Sequence, residues 1–346
     1  MKIVYAGIQA ENYNPERRLS FEYANFYLTL KQMPGVEVIE FPYDPIIHIG
    51  KKRFNAELTS LIEHERPDLF FAFMFADELD RTALDHIRTL TTSIGWFADD
   101  HWRLPNYSRY YAPHFTRAVT TWSKGPAEYA RYGVTNVIRS QWACNTAIWK
   151  PVSVERDIAV SFIGQRNAAR ADIIRALKRA GIPVWVRGWG WPEGRLTQDE
   201  MIRSVSRSKV TLNFNVPPHR LRLKLLARLF FKRSTGRIVP DLHVGDNARS
   251  WIHMGTPQIK ARPFEILGCR TFLISGFADD MDRYYEDGKE IVYYNGTITD
   301  LVQKIEYYLA RPEDRERIAQ AGYERTLREH TYEARFRNIF RELGLL

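Results

Sequence analysis

Short apolar runs alternate with helix-like segments along most of this chain, and this alternation limits the fold more than any other feature. In the first half, the predicted strands are 3–6, 36–40, 69–73, 92–97, 118–122 and 136–139. Helical patterns lie between them, for example at 21–31, 52–64 and 124–132. Such alternation is typical of a parallel sheet with helices on both faces, so we expect an α/β fold.

The pattern pauses at Trp149-Lys150-Pro151 and then begins again. Further strands are predicted at 157–163, 183–187, 210–215, 271–275 and 290–294, and helices at 168–180, 312–321 and 331–341. A chain of 346 residues is long enough for two domains of about 100–200 residues each. We therefore expect a first α/β domain over 1–150 and a second one beginning at 151.

Cysteine usage and hydropathy argue against several classes of protein. The two cysteines, Cys144 and Cys269, are far apart and lack ligand spacing, which disfavours a disulfide framework and a cysteine-based zinc site. No Asp-x-Asp pair stands in the context of a metal site. The longest apolar run, 69–76, is far shorter than the roughly 20 residues that a membrane span needs. We predict a cytoplasmic protein that needs no metal or other cofactor.

A basic segment accounts for most of the net charge of +9. The stretch from His219 through Arg237 contains seven Lys or Arg residues and no acidic residue. Leu221, Leu225 and Leu229 would share one face of a helix, so 220–233 is predicted to lie on an anionic membrane surface. The alternatives are a helix packed on the protein with a solvated basic face, or a polyanion site for nucleic acid. The surrounding stretch, 216–258, is too long for an ordinary loop.

The end of the strand at 157–163 is a candidate phosphate site. Gly164 allows close approach of the backbone, and the amides at the start of the following helix favour an anion. Arg166 and Arg170 add charge and can grip phosphate with two hydrogen bonds. The alternative is an ordinary surface arginine beside a tight turn.

A second cluster places Lys260, Arg262 and Glu265 around the start of one helix. A glutamate there is suited to accept hydrogen bonds from two neighbouring ribose hydroxyls, and the basic residues are suited to a diphosphate. The alternative is a capping carboxylate with two solvated basic residues.

Asp99, Asp100 and His101 follow the predicted strand at 92–97 and are expected to face a ligand cleft. A carboxylate or histidine there could act as the general base on an acceptor hydroxyl. The alternative is structural: Asp99 caps the next segment, and one carboxylate is merely hydrogen-bonded.

Several strings resemble the CgeB-like (spore maturation protein) branch of the group-1 glycosyltransferases. They are Lys-Ala-Arg-Pro-Phe-Glu-Ile-Leu-Gly-Cys-Arg-Thr from 260, Tyr-Glu-Asp-Gly-Lys-Glu-Ile-Val from 285, and Ala-Gly-Tyr-Glu-Arg-Thr-Leu-Arg-Glu-His-Thr-Tyr from 321. The resemblance implies a GT-B fold, in which two Rossmann-like domains face each other across a cleft. It implies an acceptor domain at 1–150, a donor domain at 151–325 with an insertion at 216–258, and a C-terminal helix at 326–346 that crosses back to the first domain.

The resemblance also assigns roles to the donor-site residues. It implies that Glu265 binds the donor ribose, and that Arg166 and Lys260 hold the diphosphate. Gly188 and Trp189 would lie near the base, although Trp189 suits plain packing equally well. Many retaining relatives carry a second glutamate eight positions before the ribose-binding one, and here that position is Pro257. A retaining reaction is therefore not implied.

Together these observations predict a glycosyltransferase that moves a sugar from a nucleotide-diphosphate sugar to a glycan or a lipid-linked acceptor of the cell envelope. The basic segment suggests work at the inner face of the membrane. Two alternatives remain open. The acceptor could be a protein or a modified DNA base, or the chain could be a catalytically inactive module that binds sugar nucleotides.

Overall fold

The computed structural model describes residues 1–216 and 226–346 and divides the chain into two compact units. The first unit contains Met1–Gln141, Arg220–Met254 and Arg335–Leu346. The second contains Trp142–His219 and Gly255–Ala334. The segment 216–258, expected as an insertion of the second domain, does interrupt that domain in the sequence. In the fold, however, most of it belongs to the first unit. The last helix also ends in the first unit.

The first unit is built on a six-stranded parallel sheet with the strand order β2-β1-β3-β4-β5-β6. Its strands are β1 Lys2–Gly7, β2 Glu37–Pro42, β3 Leu69–Met74, β4 Thr92–Phe97, β5 Arg117–Thr120 and β6 Val137–Arg139. All six strands predicted in this half are present. Every residue of β3 is buried, which explains its uninterrupted apolar run, since a central parallel strand is covered on both faces.

The second unit contains a five-stranded parallel sheet with the order β13-β12-β9-β7-β8. In chain order, the remaining strands are β7 Ile158–Ile163, β8 Trp185–Arg187, β9 Ser208–Asn213, β10 Phe231–Ser234, β11 Arg237–Pro240, β12 Leu273–Gly276 and β13 Val292–Tyr294. The five strands predicted for the second domain form this sheet. β10 and β11 belong to the inserted segment instead.

Helices cover both sheets. The described α-helices are α1 Leu28–Gln32, α2 Ile46–Ile49, α3 Lys51–Glu65, α4 Arg81–Leu90, α5 Asp100–Arg103, α6 Arg109–Tyr111, α7 Gly125–Ala130, α8 Ala168–Arg179, α9 Gln198–Ser206, α10 Val244–His253, α11 Arg262–Gly268, α12 Ile298–Leu309, α13 Pro312–Glu329 and α14 Tyr332–Glu342. Tyr23–Tyr27 and Leu104–Ser108 are π-helical. α13 extends well beyond its predicted end at 321.

α14 is held in the first unit by aromatic packing. The ring of Phe336 lies 5.4 Å from that of Phe26 and 5.5 Å from that of Phe71, measured between centroids. All three side chains have no exposed surface. Burying rings of this size removes on the order of 150–250 Å² each from water, which makes this contact a large part of what fixes the end of the chain.

The inserted segment forms a hairpin where we expected the membrane helix to continue. After a short 3-10 turn at Ala227–Leu229, β10 and β11 pair in antiparallel fashion around Thr235 and Gly236. Both turn residues have positive φ, +41° and +82°, as a tight two-residue hairpin requires. The predicted helix through 233 is therefore wrong from Phe231 onward. Its earlier part at 220–225, with Leu221 and Leu225, lies outside the described residues.

Within the first unit, α10 of the inserted segment makes polar contacts with the residues that follow α5. Arg109 forms an ion pair with Asp246 at 2.6 Å, and the amide of Asn106 donates to Asn247 at 2.8 Å. Both members of the ion pair are mostly buried, so the contact is less screened than a surface pair. In the part of the chain that the structure describes, no helix combines the length and the apolar character needed to cross a bilayer.

Strand order reverses once in each sheet. In the first sheet, β2 lies on one side of β1 and β3 on the other. In the second sheet, β8 and β9 lie on opposite sides of β7. The connections leave the carboxyl ends of such strand pairs in opposite directions, which opens a crevice where α/β proteins bind ligands.

Candidate functional site

The crevice of the second sheet, between β7 and β9, holds several of the residues predicted to bind a nucleotide. Arg170 reaches across it, and its guanidinium donates to the carbonyl oxygens of Gln165 at 2.9 Å and Phe214 at 3.1 Å. Burial, together with nearby Arg262, lowers the pKa of Arg170. Arg170 therefore ties the two strand ends together, a role that sequence reasoning missed because carbonyl partners carry no sequence signal.

Gly164 and Gly188 bring the loops after β7 and β8 into contact. Gly188 has a φ of +137°, and a Cβ added there would collide with the carbonyl oxygen of Gly164. The amide of Arg166 donates to the carbonyl of Trp189 at 2.8 Å, and the indole of Trp191 donates to the carbonyl of Gly164 at 3.0 Å. The predicted phosphate-binding and base-binding loops thus form one connected structure.

Arg166 and Trp189 lie on the exposed side of these loops. The Arg166 guanidinium is 5.7 Å from the centroid of the Trp191 ring, and it forms no ion pair with any residue of 1–216 or 226–346. Trp189 keeps 63% of its surface exposed. An exposed indole offers a flat apolar face of the kind on which a nucleobase stacks.

α8 begins beside Arg166 and directs its N-terminus toward the crevice. The side chain of Asn167 caps this helix by accepting a hydrogen bond from the amide of Arg170 at 2.9 Å. The first-turn amides and the helix dipole favour negative charge at this end. This helix end is therefore suited to an anion, and the phosphate site expected from the sequence stays a prediction.

Lys260, Arg262 and Glu265 surround the start of α11, where their spacing places them. Glu265 is only 5% exposed, and its Oε2 lies 3.0 Å from Nη1 of Arg262. Lys260 is exposed. Arg262 is thus engaged with Glu265 through Nη1 of its guanidinium. The pair keeps a nearly buried carboxylate compensated.

The segment before the second unit's first strand packs under this cluster. A Cβ at Gly268 would collide with the sulfur of Cys144, and the Arg262 guanidinium lies 5.2 Å from the ring centroid of Trp149. Burial raises the pKa of Cys144 well above its ordinary value. Cys144 and Cys269 form no disulfide, as their spacing indicated, and both are buried.

The end of β4 places its three polar residues in different environments. Asp100 has no exposed surface and accepts hydrogen bonds from Ser108 at 2.6 Å and Tyr129 at 3.0 Å. Burial raises the pKa of Asp100 to about 6, against the effect of these hydrogen bonds. Its carboxylate is directed into the unit and not toward a ligand cleft, because the donors that satisfy it lie in the interior.

His101 and Asp99 differ from Asp100 in exposure. His101 is 6% exposed, whereas Asp99 is half-buried. Asp99 has a φ of +61°, a left-handed conformation that aspartate tolerates better than most residues and that is common at functional sites. Of the three candidates, Asp99 is the most accessible to an acceptor.

No group of three or more His, Cys, Asp or Glu side chains that could hold a metal ion occurs among the described residues. The basic residues around α8 and α11 are charged groups that the second unit offers to an anionic ligand.

Solved structures share this architecture at low sequence identity. HepE of Anabaena, solved with UDP and glucose, matches with a TM-score of 0.60 at 11% identity, covering 100% of both chains. Sucrose-phosphate synthase of Thermosynechococcus elongatus matches with a TM-score of 0.58 at 10% identity over 99% of each chain. A glycosyltransferase of Rickettsia africae gives 0.59 at 9% identity over 98% of this chain and 97% of its own. The fold is the GT-B fold with two Rossmann-like domains.

The sequence itself matches a family model, although no curated protein gives a significant match. The family is described as glycosyl transferase-like, and its model covers residues 166–341, slightly more than half of the chain. This stretch begins at Arg166 and includes Lys260, Arg262 and Glu265. The chain therefore belongs to the glycosyl transferase-like family.

Proposed function

We propose that this transferase moves a sugar from a nucleoside-diphosphate sugar and that the donor nucleotide binds at the crevice between β7 and β9. The observation that carries the proposal is the pairing of opposite chemistries there. Glu265 is a nearly buried hydrogen-bond acceptor whose ion-pair partner Arg262 lies close enough to Arg170 to add to the effect of burial, which lowers the pKa of Arg170. Arg166, after β7, and Lys260, before α11, are exposed cations. A nucleotide presents ribose hydroxyls that donate and phosphates that accept. HepE has been solved with UDP-glucose, so UDP is the first nucleotide to test.

Each residue then has a distinct task. The carboxylate of Glu265 accepts from the two ribose hydroxyls, and Arg262 holds that carboxylate in place. Arg166 and Lys260 neutralise the diphosphate, while Trp189 provides a surface for the base. The charge that develops on the leaving diphosphate is stabilised by these cations and by the amides of α8, so the reaction needs no metal ion. Full activity in excess chelator is the expected result.

The acceptor hydroxyl loses its proton to a group at the end of β4, and Asp99 is the candidate that solvent reaches. Asp100 serves as a positioning residue for this strand end, and His101 is the second candidate. Replacing the true base should reduce turnover by roughly a hundredfold or more while UDP binding persists. Unchanged turnover in Asp99→Asn and in His101→Gln would place the base elsewhere.

We further propose that the enzyme belongs to the CgeB-like branch and that its acceptor is a glycan or lipid-linked molecule at the inner face of an anionic membrane. The inserted segment supports this proposal because large apolar side chains are exposed there beside basic ones. The apolar residues are Phe230, Phe231, Ile238, Leu242 and Ile252, and the basic ones include Arg228, Lys232 and Arg237. Each basic residue near an anionic surface contributes about 1 kcal/mol of attraction.

Flotation with vesicles tests the membrane proposal separately from catalysis. The wild type should float with vesicles containing phosphatidylglycerol at low salt and be released at high salt. Lys232→Glu combined with Arg237→Glu should abolish flotation, whereas Lys178→Glu combined with Arg179→Glu, on α8 of the second unit, should not. A wild type that stays in solution at low salt would remove the membrane from the proposal.

Hydrolysis and transfer assays distinguish the enzyme from an inactive binding module. Purified protein should hydrolyse UDP-glucose or another nucleoside-diphosphate sugar slowly in water and faster with its acceptor. Binding of UDP without turnover of any such donor would favour the inactive module.

A further inference from the structure

A pocket of about 230 Å³ lies at the crevice of the first sheet, between the loops that follow β1 and β3. The β10–β11 hairpin of the inserted segment closes its third side. It is lined by Asn12, Tyr13, Arg17, Phe75, Ala76, Arg233 and Gly236. None of the residues predicted to bind the donor lies in it. Since strand order reverses between β1 and β3, this is where a parallel sheet offers a binding site.

The buried carboxylate of Glu78, behind the pocket wall, is already hydrogen-bonded within the protein. The hydroxyl of Tyr13 donates to the carboxylate of Glu78, which also accepts from the amide of Ala76 at 2.8 Å. Glu78 is 1% exposed, and burial raises its pKa. The ring of Tyr13 meets that of Phe75 edge to face, with centroids 5.9 Å apart. The buried acid is therefore engaged by residues of the wall and has almost no accessible surface of its own.

The hydrogen-bond donors that line the pocket have fewer partners within the protein. Nη1 of Arg233 donates to Oδ1 of Asn12 at 2.9 Å, which leaves the other guanidinium donors and the amide NH₂ of Asn12. Arg17 forms no ion pair with any residue of 1–216 or 226–346. The nearby carboxylate of Asp77 does not line the pocket: its Oδ2 accepts from the hydroxyl of Ser234 at 2.9 Å, and its Oδ1 is buried. The pocket thus presents donors and positive charge to a ligand.

The backbone beneath the pocket is strained. Asn12 and Tyr13 are consecutive residues with φ of +59° and +58°, a conformation that residues other than glycine rarely adopt. Such strain persists only where surrounding contacts enforce it, and it clusters at ligand sites. Here the contacts with Glu78 and Arg233 hold both residues.

We propose that this pocket binds an anionic group, a phosphate or a carboxylate, carried by the acceptor of the transfer reaction. That the ligand of this pocket is the acceptor of the transfer reaction rests on the proposed function. Two arginines without acidic partners among the described residues match an anion, which guanidinium groups grip with paired hydrogen bonds. The volume is below the roughly 300–1,000 Å³ of pockets for drug-sized ligands, so it suits one such group or one sugar ring that bears it.

The hairpin gives this proposal a consequence for specificity. Arg233 comes from the inserted segment, whereas Arg17 comes from the loop after β1. Without the hairpin, the pocket would lose one wall and one of its two cations. The inserted segment is therefore what selects a charged acceptor over a neutral one.

Titration calorimetry with three small ligands tests the proposal. The ligands are glucose 1-phosphate, glucuronic acid and neutral methyl glucoside, each added to protein that is saturated with UDP so that the donor site is occupied. The double variant Arg17→Gln, Arg233→Gln should bind whichever charged ligand the wild type binds, glucose 1-phosphate or glucuronic acid, about tenfold more weakly or worse. Arg237→Gln, on the same hairpin but outside the pocket, is the matched control and should bind like the wild type.

The outcomes separate the pocket from the donor site. Binding of glucose 1-phosphate alone identifies a phosphate ligand, and binding of glucuronic acid alone identifies a carboxylate. If UDP does not bind, the titrations are repeated without it. A loss of affinity for the charged ligand in the double variant then supports the pocket, while the absence of UDP binding refutes the donor site. The pocket proposal is overturned if methyl glucoside binds as well as the charged ligands, if neither charged ligand binds, or if Arg237→Gln causes an equal loss.

Discussion

Replacing Glu265 by Gln should weaken nucleotide binding through the ribose while the fold is retained. The carboxylate is 5% exposed, so solvent does little to screen hydrogen bonds that it accepts. Hydrogen bonds to a charged group contribute about 1.5–3 kcal/mol each. Loss of the charge with one acceptor oxygen kept should therefore raise the Kd for UDP by about 10- to 150-fold.

The variant also removes the ionic partner of Arg262, and this effect needs a control. Glu290 is a matched carboxylate in the same unit: it is 8% exposed and lies 3.6 Å from Arg325. Glu290→Gln should impose a similar local cost on stability without touching the nucleotide. If both variants weaken UDP equally, the loss reflects general destabilisation of the unit.

A cycle with 2′-deoxy-UDP makes the ribose assignment explicit. The wild type should prefer UDP over the deoxy ligand in calorimetry, because the 2′-hydroxyl donates to Glu265. The Glu265→Gln variant should lose most of its preference for UDP over 2′-deoxy-UDP. The 2′-hydroxyl of the ligand and the carboxylate of Glu265 form one hydrogen bond, so removing the second after the first has little further effect. Unchanged UDP affinity, or a full preference for UDP in the variant, would refute the reasoning.

Two further predictions concern the phosphates and the buried acid. Arg166→Ala and Lys260→Ala should each weaken UDP far more than uridine in calorimetry, and equal losses for both ligands would contradict the phosphate assignment. For Asp100, the folded pKa of about 6 exceeds its ordinary value of 3.8, so its contribution to stability is fully present below about pH 4 and is lost as pH rises through 6. Asp100→Asn should remove roughly 3 kcal/mol of this pH dependence, measured by urea unfolding from pH 4 to 7 against the wild type. Parallel curves would mean that Asp100 has an ordinary pKa.

The strands of both sheets could be predicted because their signal is local. A buried parallel strand such as β3 is a continuous apolar run, and β7 ends at a glycine just as its pattern suggests. The hairpin was missed because leucines at a helical spacing dominated the preceding segment. The Thr235-Gly236 pair was the available signal for a turn, and it follows a strand-like run that begins at Phe231.

The roles of charged residues were harder to predict because they depend on distant partners. Asp100 looked like a strand-end carboxylate open to a ligand, but Ser108 and Tyr129 enclose it from other segments. Arg262 was predicted to meet a diphosphate, and its ion pair with Glu265, one turn of helix away, was not anticipated. The second case could have been foreseen, since residues three apart on a helix are neighbours.

The crevices of the two sheets differ in how far they could be predicted, because only one of them is formed by residues that are close in the sequence. The residues of the proposed donor site could be suggested from the sequence because Gly164 and Arg166 follow a predicted strand end directly along the chain. The pocket of the first unit required the strand order β2-β1-β3, which a pattern of apolar runs does not determine. It also joins Asn12 to Arg233, 221 positions apart, through a hairpin that closes over the reversal point. A site assembled from such distant segments becomes visible only when the sheet order is known, and its two arginines make the charge of the acceptor the property to measure first.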